Sequence, residues 1–223
     1  MCSAGKKQSG HERSRSGSLS MNICSYSFEE YFSLIKSFHG STAPGIIIGG
    51  GMVDIALREM PENTLYDVLC ETSACLPDAV QLLTPCTIGN GWLKIVNLGR
   101  FALTVYEKYQ GRGIRAFLDA KKVKRWPEIE SWYLRLKPKK EQDFKLLLAQ
   151  IREAGTTICS LQEVTVSPQF RAKPKQNKAV TICPGCGEAF PAQTERFCEA
   201  CRGHSPYLSF DFTNETTRQT AFS

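Results

Sequence analysis

Two closely spaced pairs of cysteines near the C-terminus constrain the fold of this chain more than any other feature of its sequence. Cys183 and Cys186 form one C-x2-C pair, and Cys198 and Cys201 form a second pair after 11 intervening residues. Each pair turns sharply enough for two thiolates to approach one ion, and four thiolates suit the tetrahedral coordination of a structural Zn²⁺. We therefore expect one structural zinc ion per chain at these four residues.

The region around the four cysteines is too short to fold on a hydrophobic core alone. Its roughly 40 residues bury too little apolar surface, so metal binding should drive their folding. Gly185, Gly187 and Gly203 supply the small bulk and backbone freedom that the turns need. A redox dithiol is the alternative use of the cysteines, and iron is the alternative ion. His204 follows Cys201 by three residues and is expected to be a neighbour of the site.

The ten cysteines of the chain also bear on its compartment. The N-terminus is polar and basic without the apolar segment of a secretory signal, and no run of 18 or more apolar residues occurs. The sequence therefore predicts a cytoplasmic protein without a membrane span. In a reducing compartment, cysteines serve as metal ligands, reactive thiols or core residues more often than as disulfides.

The formal net charge of +6 is concentrated in two segments. Residues 1–20 carry a net charge of +3 and residues 171–178 carry +4, which leaves −1 for the rest of the chain. Residues 183–204 hold two basic and three acidic side chains, which do not form a phosphate-binding face. This distribution argues against nucleic acid as a partner.

Composition divides the chain into five segments. The Ser-, Gly- and Arg-rich start is typical of disorder, and Met21 is the expected true initiator. The predicted segments are a disordered tail (1–20), an α+β domain (21–170), a basic linker (171–180), a zinc module (181–210) and a C-terminal tail (211–223).

Apolar spacing predicts the elements of the larger domain. Ser27 and Glu30 form a capping-box pattern ahead of a first helix, and Pro44 is well placed to open a second one. A strand over 64–74 and a short helix over 77–84 follow. Further elements are predicted as an antiparallel meander of three strands (91–99, 100–109, 112–119), two helices (126–136, 141–155) and a last strand (158–167). The fold class is α+β with an antiparallel sheet, and the basic stretch 135–140 is expected to be solvated helix surface.

A second, weaker group of candidate residues lies in this domain. Cys75 stands near the predicted start of the short helix, where the helix dipole should lower its thiol pKa. Asp78 and Gln81 are three residues apart and share a helix face, and His39 lies in a Gly/Ser/Pro loop. We consider His39, Cys75, Asp78 and Gln81 as candidate catalytic residues. Core or capping roles remain the alternative.

His39, Cys75 and Cys86 are also the candidate ligands of a second metal ion. Helical geometry opposes this set, because a helix over 77–84 is about 12 Å long and separates the two thiols. Zinc–sulfur bonds are only about 2.3 Å. Cys86 would reach such a site only if the loops fold back or if a second subunit supplies it.

Two long stretches resemble a known family. The segments "FHGSTAPGIIIG" and "CETSACLPDAVQLLTPCTIGNGWLKIVNLGRFALTVYE", with the C-terminal "CPGCGEAF…RFCEACRG", are similar to the FmdE family, named after one subunit of formylmethanofuran dehydrogenase, over about residues 28–205. The family loop often contains a second His where Ser41 stands here, and a basic residue is common at the position of Asn90.

The resemblance implies an N-terminal domain that pairs as a homodimer and a treble-clef-like zinc module. It also implies association with other subunits of a tungsten or molybdenum enzyme of one-carbon metabolism, which carry the redox centre. The leading hypothesis is therefore a zinc-binding accessory protein or subunit of an oxidoreductase, without a redox centre of its own. The alternatives are a stand-alone metal- or thiol-dependent enzyme using His39 and Cys75, and a zinc module that binds a partner protein or nucleic acid.

Overall fold

The computed structural model describes residues 22–171, 179–192 and 194–207. Contacts divide the chain into two compact units, Met1–Ala172 and Lys173–Ser223. The predicted tails 1–20 and 211–223, the proposed initiator Met21 and most of the predicted linker 171–180 lie outside the described residues. Within the described ranges, no helix is long and apolar enough to cross a membrane.

The first unit opens with a small hairpin and two packed helices. These elements are strands β1 (Asn22–Ile23) and β2 (Tyr26–Ser27) and helices α1 (Phe28–His39) and α2 (Pro44–Arg58). The predicted capping box is confirmed: the Glu30 N–H donates to the Ser27 hydroxyl at 3.3 Å, and the Ser27 N–H donates to the Glu30 carboxylate at 2.7 Å. Helix α2 begins at Pro44, as the sequence predicts.

A five-stranded sheet forms the centre of the first unit. Its strands are β3 (Tyr66–Cys70), β4 (Leu93–Ile95), β5 (Ala102–Glu107), β6 (Arg112–Leu118) and β7 (Cys159–Thr165). The remaining helices are α3 (Leu76–Leu83), α4 (Ala120–Val123), α5 (Pro127–Tyr133), α6 (Phe144–Ala154) and α7 (Pro168–Arg171). The α+β fold class is confirmed.

The predicted three-strand meander is wrong in its first member. The strand order is β4-β3-β5-β6-β7, and β4 runs parallel to β3, with Leu93 opposite Val68. Strand β5 pairs antiparallel with β3 and not with β4. Helix α3 is the reason, because a helical connection returns the chain to the same end of the sheet and makes the next strand parallel.

Helix α2 is buried along nearly its whole length between the sheet and two neighbouring helices. Its glycines allow this close approach: a Cβ added at Gly49 would lie 2.9 Å from the Ala79 Cβ, and one at Gly50 would lie 2.4 Å from the Tyr31 ring. The three buried isoleucines of α2 each contribute about 1.5–3 kcal/mol on transfer from water. The glycine run therefore serves helix packing, as the sequence predicts.

The other sheet face carries buried charges. Glu71 is only 4% exposed and accepts two hydrogen bonds from Arg115, at 2.6 and 2.9 Å, with Arg100 at 2.7 Å. Asp67 lies between Lys94 and Lys108, at 4.0 and 3.6 Å. Buried carboxylates are retained only when they are paired, and here each has two cations.

The second unit is a small hairpin followed by one turn of 3-10 helix. Strand β8 (Ala179–Ile182) pairs antiparallel with β9 (Ala189–Ala192), and the helical turn spans Ala200–Arg202. The strands are largely exposed on both faces, so they do not form a hydrophobic core of their own.

Candidate functional site

The four cysteines of the second unit converge at one point. Their sulfur atoms all lie within 4.8 Å of one another, and those of Cys186 and Cys198 are 3.7 Å apart. Tetrahedral coordination with bonds of about 2.3 Å places sulfur atoms about 3.8 Å apart. The donor set therefore fits a structural Zn²⁺, and the predicted zinc site at Cys183, Cys186, Cys198 and Cys201 is confirmed.

The first cysteine pair sits in a tight turn after β8. The Cys183 N–H donates to the Glu188 carbonyl at 2.9 Å, and the Gly187 N–H donates to the Cys183 carbonyl at 2.8 Å. Gly187 has a φ of 75°, which favours glycine. A Cβ at Gly185 would lie 2.9 Å from the Cys201 sulfur. Both glycines are therefore required for the turn to close around the sulfurs.

The thiols of this cluster differ in their affinity for a proton. The Cys198 N–H donates to the Cys183 sulfur at 3.4 Å, and this bond, foremost among several, lowers the pKa of Cys183 to about 6. Hydrogen bonding with neighbouring thiols raises the pKa of Cys201 to about 12. A divalent cation favours thiolate at all four positions. His204 lies outside the set, because its Nδ1 pairs with the Glu199 carboxylate at 2.5 Å.

A cavity of about 1030 Å³ in the first unit collects several of the candidate residues. One wall consists of the end of α1, the loop 41–43, the start of α2 and the residue that precedes α3. The opposite wall consists of Trp132 and the segment 135–144. Its lining residues are His39, Ser41, Thr42, Ala43, Pro44, Gly45, Cys75, Trp132, Arg135, Leu136, Lys137, Pro138, Lys139, Gln142 and Phe144.

His39 and Asp78 form a hydrogen-bonded pair at this cavity. The His39 Nδ1 and an Asp78 carboxylate oxygen are 2.8 Å apart, and both side chains are about one-third exposed. The two residues are 39 positions apart in sequence and meet because α1 ends next to the first turn of α3. The pairing fixes the orientation of the imidazole and leaves Nε2 as its other nitrogen.

Cys75 lines the same cavity in a strained backbone conformation. Its φ of 60° lies in the left-handed region, which costs a non-glycine residue about 1–2 kcal/mol. A Cβ added at Gly45 would lie 2.8 Å from both the Cβ and the sulfur of Cys75. The thiol is thus wedged against the start of α2.

The expected lowering of the Cys75 pKa is not observed. Burial raises the pKa of this thiol, the negative charge of Asp78 raises it further, and the positive charge of Lys139 opposes both only in part. Desolvation therefore outweighs the helix dipole here, and Cys75 is a protonated thiol at neutral pH.

Cys86 and Gln81 lie apart from this site. Cys86 is fully buried in the core, where its thiol donates to the Tyr66 carbonyl at 3.8 Å and burial raises its pKa to about 11. The Gln81 side chain accepts from the Ile88 N–H at 3.3 Å and supports the following loop. The structure brings together His39, Cys75 and Asp78 only. Within the described ranges, the four-cysteine cluster is the only potential metal-ligand group, so His39, Cys75 and Cys86 do not form one.

Three cavity residues were not recognised from the sequence. Trp132, Arg135 and Lys139 belong to a region that the sequence predicts as helix and solvated basic surface, yet they line the cavity. An aromatic residue followed closely by several cations is the signal that pointed to them, because this combination is common where proteins bind anionic ring compounds.

Comparisons with known proteins agree with this architecture. A family model described as "FmdE, Molybdenum formylmethanofuran dehydrogenase operon" matches residues 38–167. A second model, "FmdE treble clef zinc finger", matches residues 174–208 and confirms the treble-clef module.

Individual relatives fall in the same group. The crystal structure of an FmdE-like protein of tungsten formylmethanofuran dehydrogenase from Syntrophus aciditrophicus is 51% identical, with a TM-score of 0.77 over 85% of this chain and 99% of that one. A curated relative, named a probable S-adenosyl-L-methionine-binding protein of Archaeoglobus fulgidus, is 30% identical over 190 residues. That match covers 75% of this chain but only 51% of the relative, so this chain spans about half of its length. The family match over more than half of the sequence shows that the chain belongs to the FmdE family.

Proposed function

We propose that this chain is a zinc-containing accessory protein of a molybdenum or tungsten formylmethanofuran-dehydrogenase-type system in one-carbon metabolism. The family description and the name of the Syntrophus protein, which is 51% identical, support this association. In this proposal the zinc module is structural, and the cavity of the first unit carries the function. The pairing of His39 with Asp78 at a cavity that also contains Cys75 is the observation that carries the assignment.

The chemistry of the two sites favours an accessory role over catalysis. Four thiolates fill the coordination sphere of zinc and leave no position for a substrate. The cavity thiol has a raised pKa, which makes it a poor nucleophile at neutral pH. Binding is the activity that these groups support best.

Affinity purification of the tagged full chain from the organism that encodes it tests the association. We expect subunits of a molybdenum- or tungsten-containing dehydrogenase to co-purify, as identified by mass spectrometry and metal analysis. The variant Lys140→Gln, which alters an exposed residue outside the cavity, serves as a matched control for variants of the cavity. Recovery of the chain without any such subunit, together with unchanged formylmethanofuran dehydrogenase activity in a deletion strain, would refute the proposal.

A metal-dependent enzyme is the second candidate. The contact from Asp78 to the Nδ1 of His39 is the arrangement that commonly orients metal-binding histidines, with the other ring nitrogen toward the ion. Metal analysis separates the two candidates. One zinc per chain, lost in Cys183→Ser but retained in Cys75→Ser, supports the accessory protein. A second metal that is lost in both Cys75→Ser and His39→Ala supports the enzyme.

We also propose that the protein is a cytoplasmic homodimer. Strand β7 lies at an edge of the sheet and exposes Leu161, and unpaired strand edges are natural pairing surfaces. Light scattering of the purified full chain tests the dimer: a mass of one chain across the micromolar range would contradict it.

S-adenosylmethionine, suggested by the name of the archaeal relative, suits this cavity poorly. The ligand carries a sulfonium and an ammonium group against one carboxylate, so its net charge is positive. The described residues that line the cavity include Arg135, Lys137 and Lys139 but no Asp or Glu. Like charges in a shared cavity repel each other, and the relative extends well beyond the matched region.

A further inference from the structure

We propose that the cavity beside His39 and Cys75 binds a small anion, a carboxylate or a phosphate, attached to an aromatic or other planar ring. This inference rests on the proposed function in one respect: it takes the cavity, and not the zinc module, as the functional site. The charge of the walls, their apolar surface and their backbone conformation each support it.

The cations of the cavity wall supply the first argument. Lys137 is paired with Glu128 at 3.1 Å. Among the described residues, by contrast, Arg135 and Lys139 have no ion-pair partner. None of the described lining residues is a carboxylate, and Asp78 is engaged by His39. Two uncompensated cations on one wall therefore favour an anionic occupant.

The apolar groups of the same wall supply the second argument. The Trp132 ring is held edge-on against Phe101, with ring centroids 5.9 Å apart and an interplanar angle of 87°. Leu136 and Phe144 are 63% and 42% exposed, although they line a concave surface. A planar ring lying on these groups would bury apolar area next to the cations. Aromatic residues supply such surface at a low cost in conformational entropy.

The backbone at Arg135 supplies the third argument. The Leu136 N–H donates to the Ser131 carbonyl at 2.9 Å, and Arg135 has a φ of 55°. This is the position after a helix where glycine is usual. Stability alone would favour glycine there, since the left-handed conformation costs other residues about 1–2 kcal/mol. The arginine instead places a cation on the cavity wall, and the strain is explained if the cation is used.

The size of the cavity limits the class of ligand. Small-molecule sites usually occupy about 300–1,000 Å³, and this cavity reaches about 1030 Å³. It is therefore large enough for a ring compound of nucleotide size, and more than an inorganic anion alone requires.

Isothermal titration of the purified, zinc-loaded full chain tests the inference with matched probes. AMP is compared with adenosine, and benzoate with benzamide, so that each pair differs in the anionic group. We expect at least one anion to bind about tenfold or more tightly than its neutral partner. Preference for AMP identifies phosphate and preference for benzoate identifies carboxylate. S-adenosylmethionine should bind more weakly than the preferred anion.

Variants assign the preference to the cavity. The double variant Arg135→Gln/Lys139→Gln should lose it, whereas Lys140→Gln, adjacent in sequence but outside the cavity, should retain it. Arg135→Gly should melt at a higher temperature than the wild type while binding the anion more weakly, which separates lost binding from lost folding.

Other outcomes overturn the inference. It fails if both probe pairs fall short of the tenfold ratio, if no probe binds at concentrations up to about 10 mM, or if the double variant keeps the preference. It also fails if S-adenosylmethionine is the tightest ligand. Because the titration needs no dehydrogenase subunit, a negative result with co-purification intact refutes the ligand class alone. Binding without co-purification refutes the proposed association alone.

Discussion

The contact between Gly45 and Cys75 leads to a quantitative prediction about how the cavity is built. A Cβ at position 45 would lie 2.8 Å from two atoms of Cys75 and 3.4 Å from the Trp132 ring. Ordinary carbon contacts are about 3.5–4.0 Å. Gly45→Ala should therefore push apart the starts of α2 and α3.

Two opposing effects set the magnitude of the change. Overpacking of this kind costs about 1–3 kcal/mol. We expect the upper half of that range, because the Cβ of Cys75 is fixed to the backbone and no side-chain rotation can move it. Alanine within a helix is more favourable than glycine by about 1 kcal/mol. The free energy of unfolding should thus fall by about 1–2 kcal/mol, which lowers the melting temperature by about 2–8 °C.

Thermal and urea unfolding, followed by circular dichroism, measure this change and its rescue. Cys75→Gly removes both contacting atoms and suits the φ of 60°, so the double variant should recover about 1 kcal/mol or more as a coupling energy. Cys75→Ala keeps the Cβ and should rescue only in part. Gly89→Ala is the control, because its nearest neighbour would be 3.9 Å away.

The reasoning fails if Gly45→Ala is as stable as the wild type or more stable. It also fails if the coupling with Cys75→Gly is zero, because the two residues would then not be in the close contact that the structure places at the cavity.

Three further predictions concern buried charge, thiol reactivity and the metal. Burial raises the pKa of Glu71, but Arg115 and Arg100 outweigh it and hold the pKa below its ordinary value of 4.5; Glu71→Gln should therefore cost about 3 kcal/mol at pH 7. That difference should shrink as the pH falls below the ordinary value and through the lowered pKa, in melts compared across pH. Because the pKa of Cys75 is raised from 9.0, labelling by iodoacetamide should be slow at pH 7 and rise only above pH 9, as peptide mass spectrometry would show; fast labelling at pH 7 would contradict the assignment. Chelation of zinc should make residues 179–207 sensitive to protease and leave the melting of the first unit unchanged, whereas simultaneous loss of both units would contradict a purely structural role confined to the module.

The features that the sequence predicted correctly depend on residues only a few positions apart. The capping box needs Ser27 and Glu30, the start of α2 needs Pro44, and each zinc-binding turn needs two cysteines and neighbouring glycines. Such short-range patterns carry their own geometry. The meeting of His39 with Cys75 was suggested by motif spacing, and its contact with Asp78 became visible only once α1 and α3 were packed.

The features that the sequence missed depend on pairing over long distances. Strand β4 is parallel to β3 because α3 intervenes, and no local pattern indicated which neighbour β3 would take. Glu71 pairs with Arg115, 44 positions away, across a sheet face that had been expected to be simpler. The pKa of Cys75 went the opposite way because burial, which follows from tertiary packing, outweighed the helix dipole.

The basic stretch after α5 shows why a binding surface can look like ordinary solvated surface in a sequence. Lysines and arginines next to leucine suit an exposed helix face equally well. The left-handed turn at Arg135 ends α5 and directs the following segment along the cavity opposite His39 and Cys75. Cys75 on the facing wall is also left-handed, so two residues that contradict local backbone preference border one cavity. Departures of this kind concentrate where a side chain is needed for something other than stability, which ties the strained residues, the thiol and the cations of the wall to a single site.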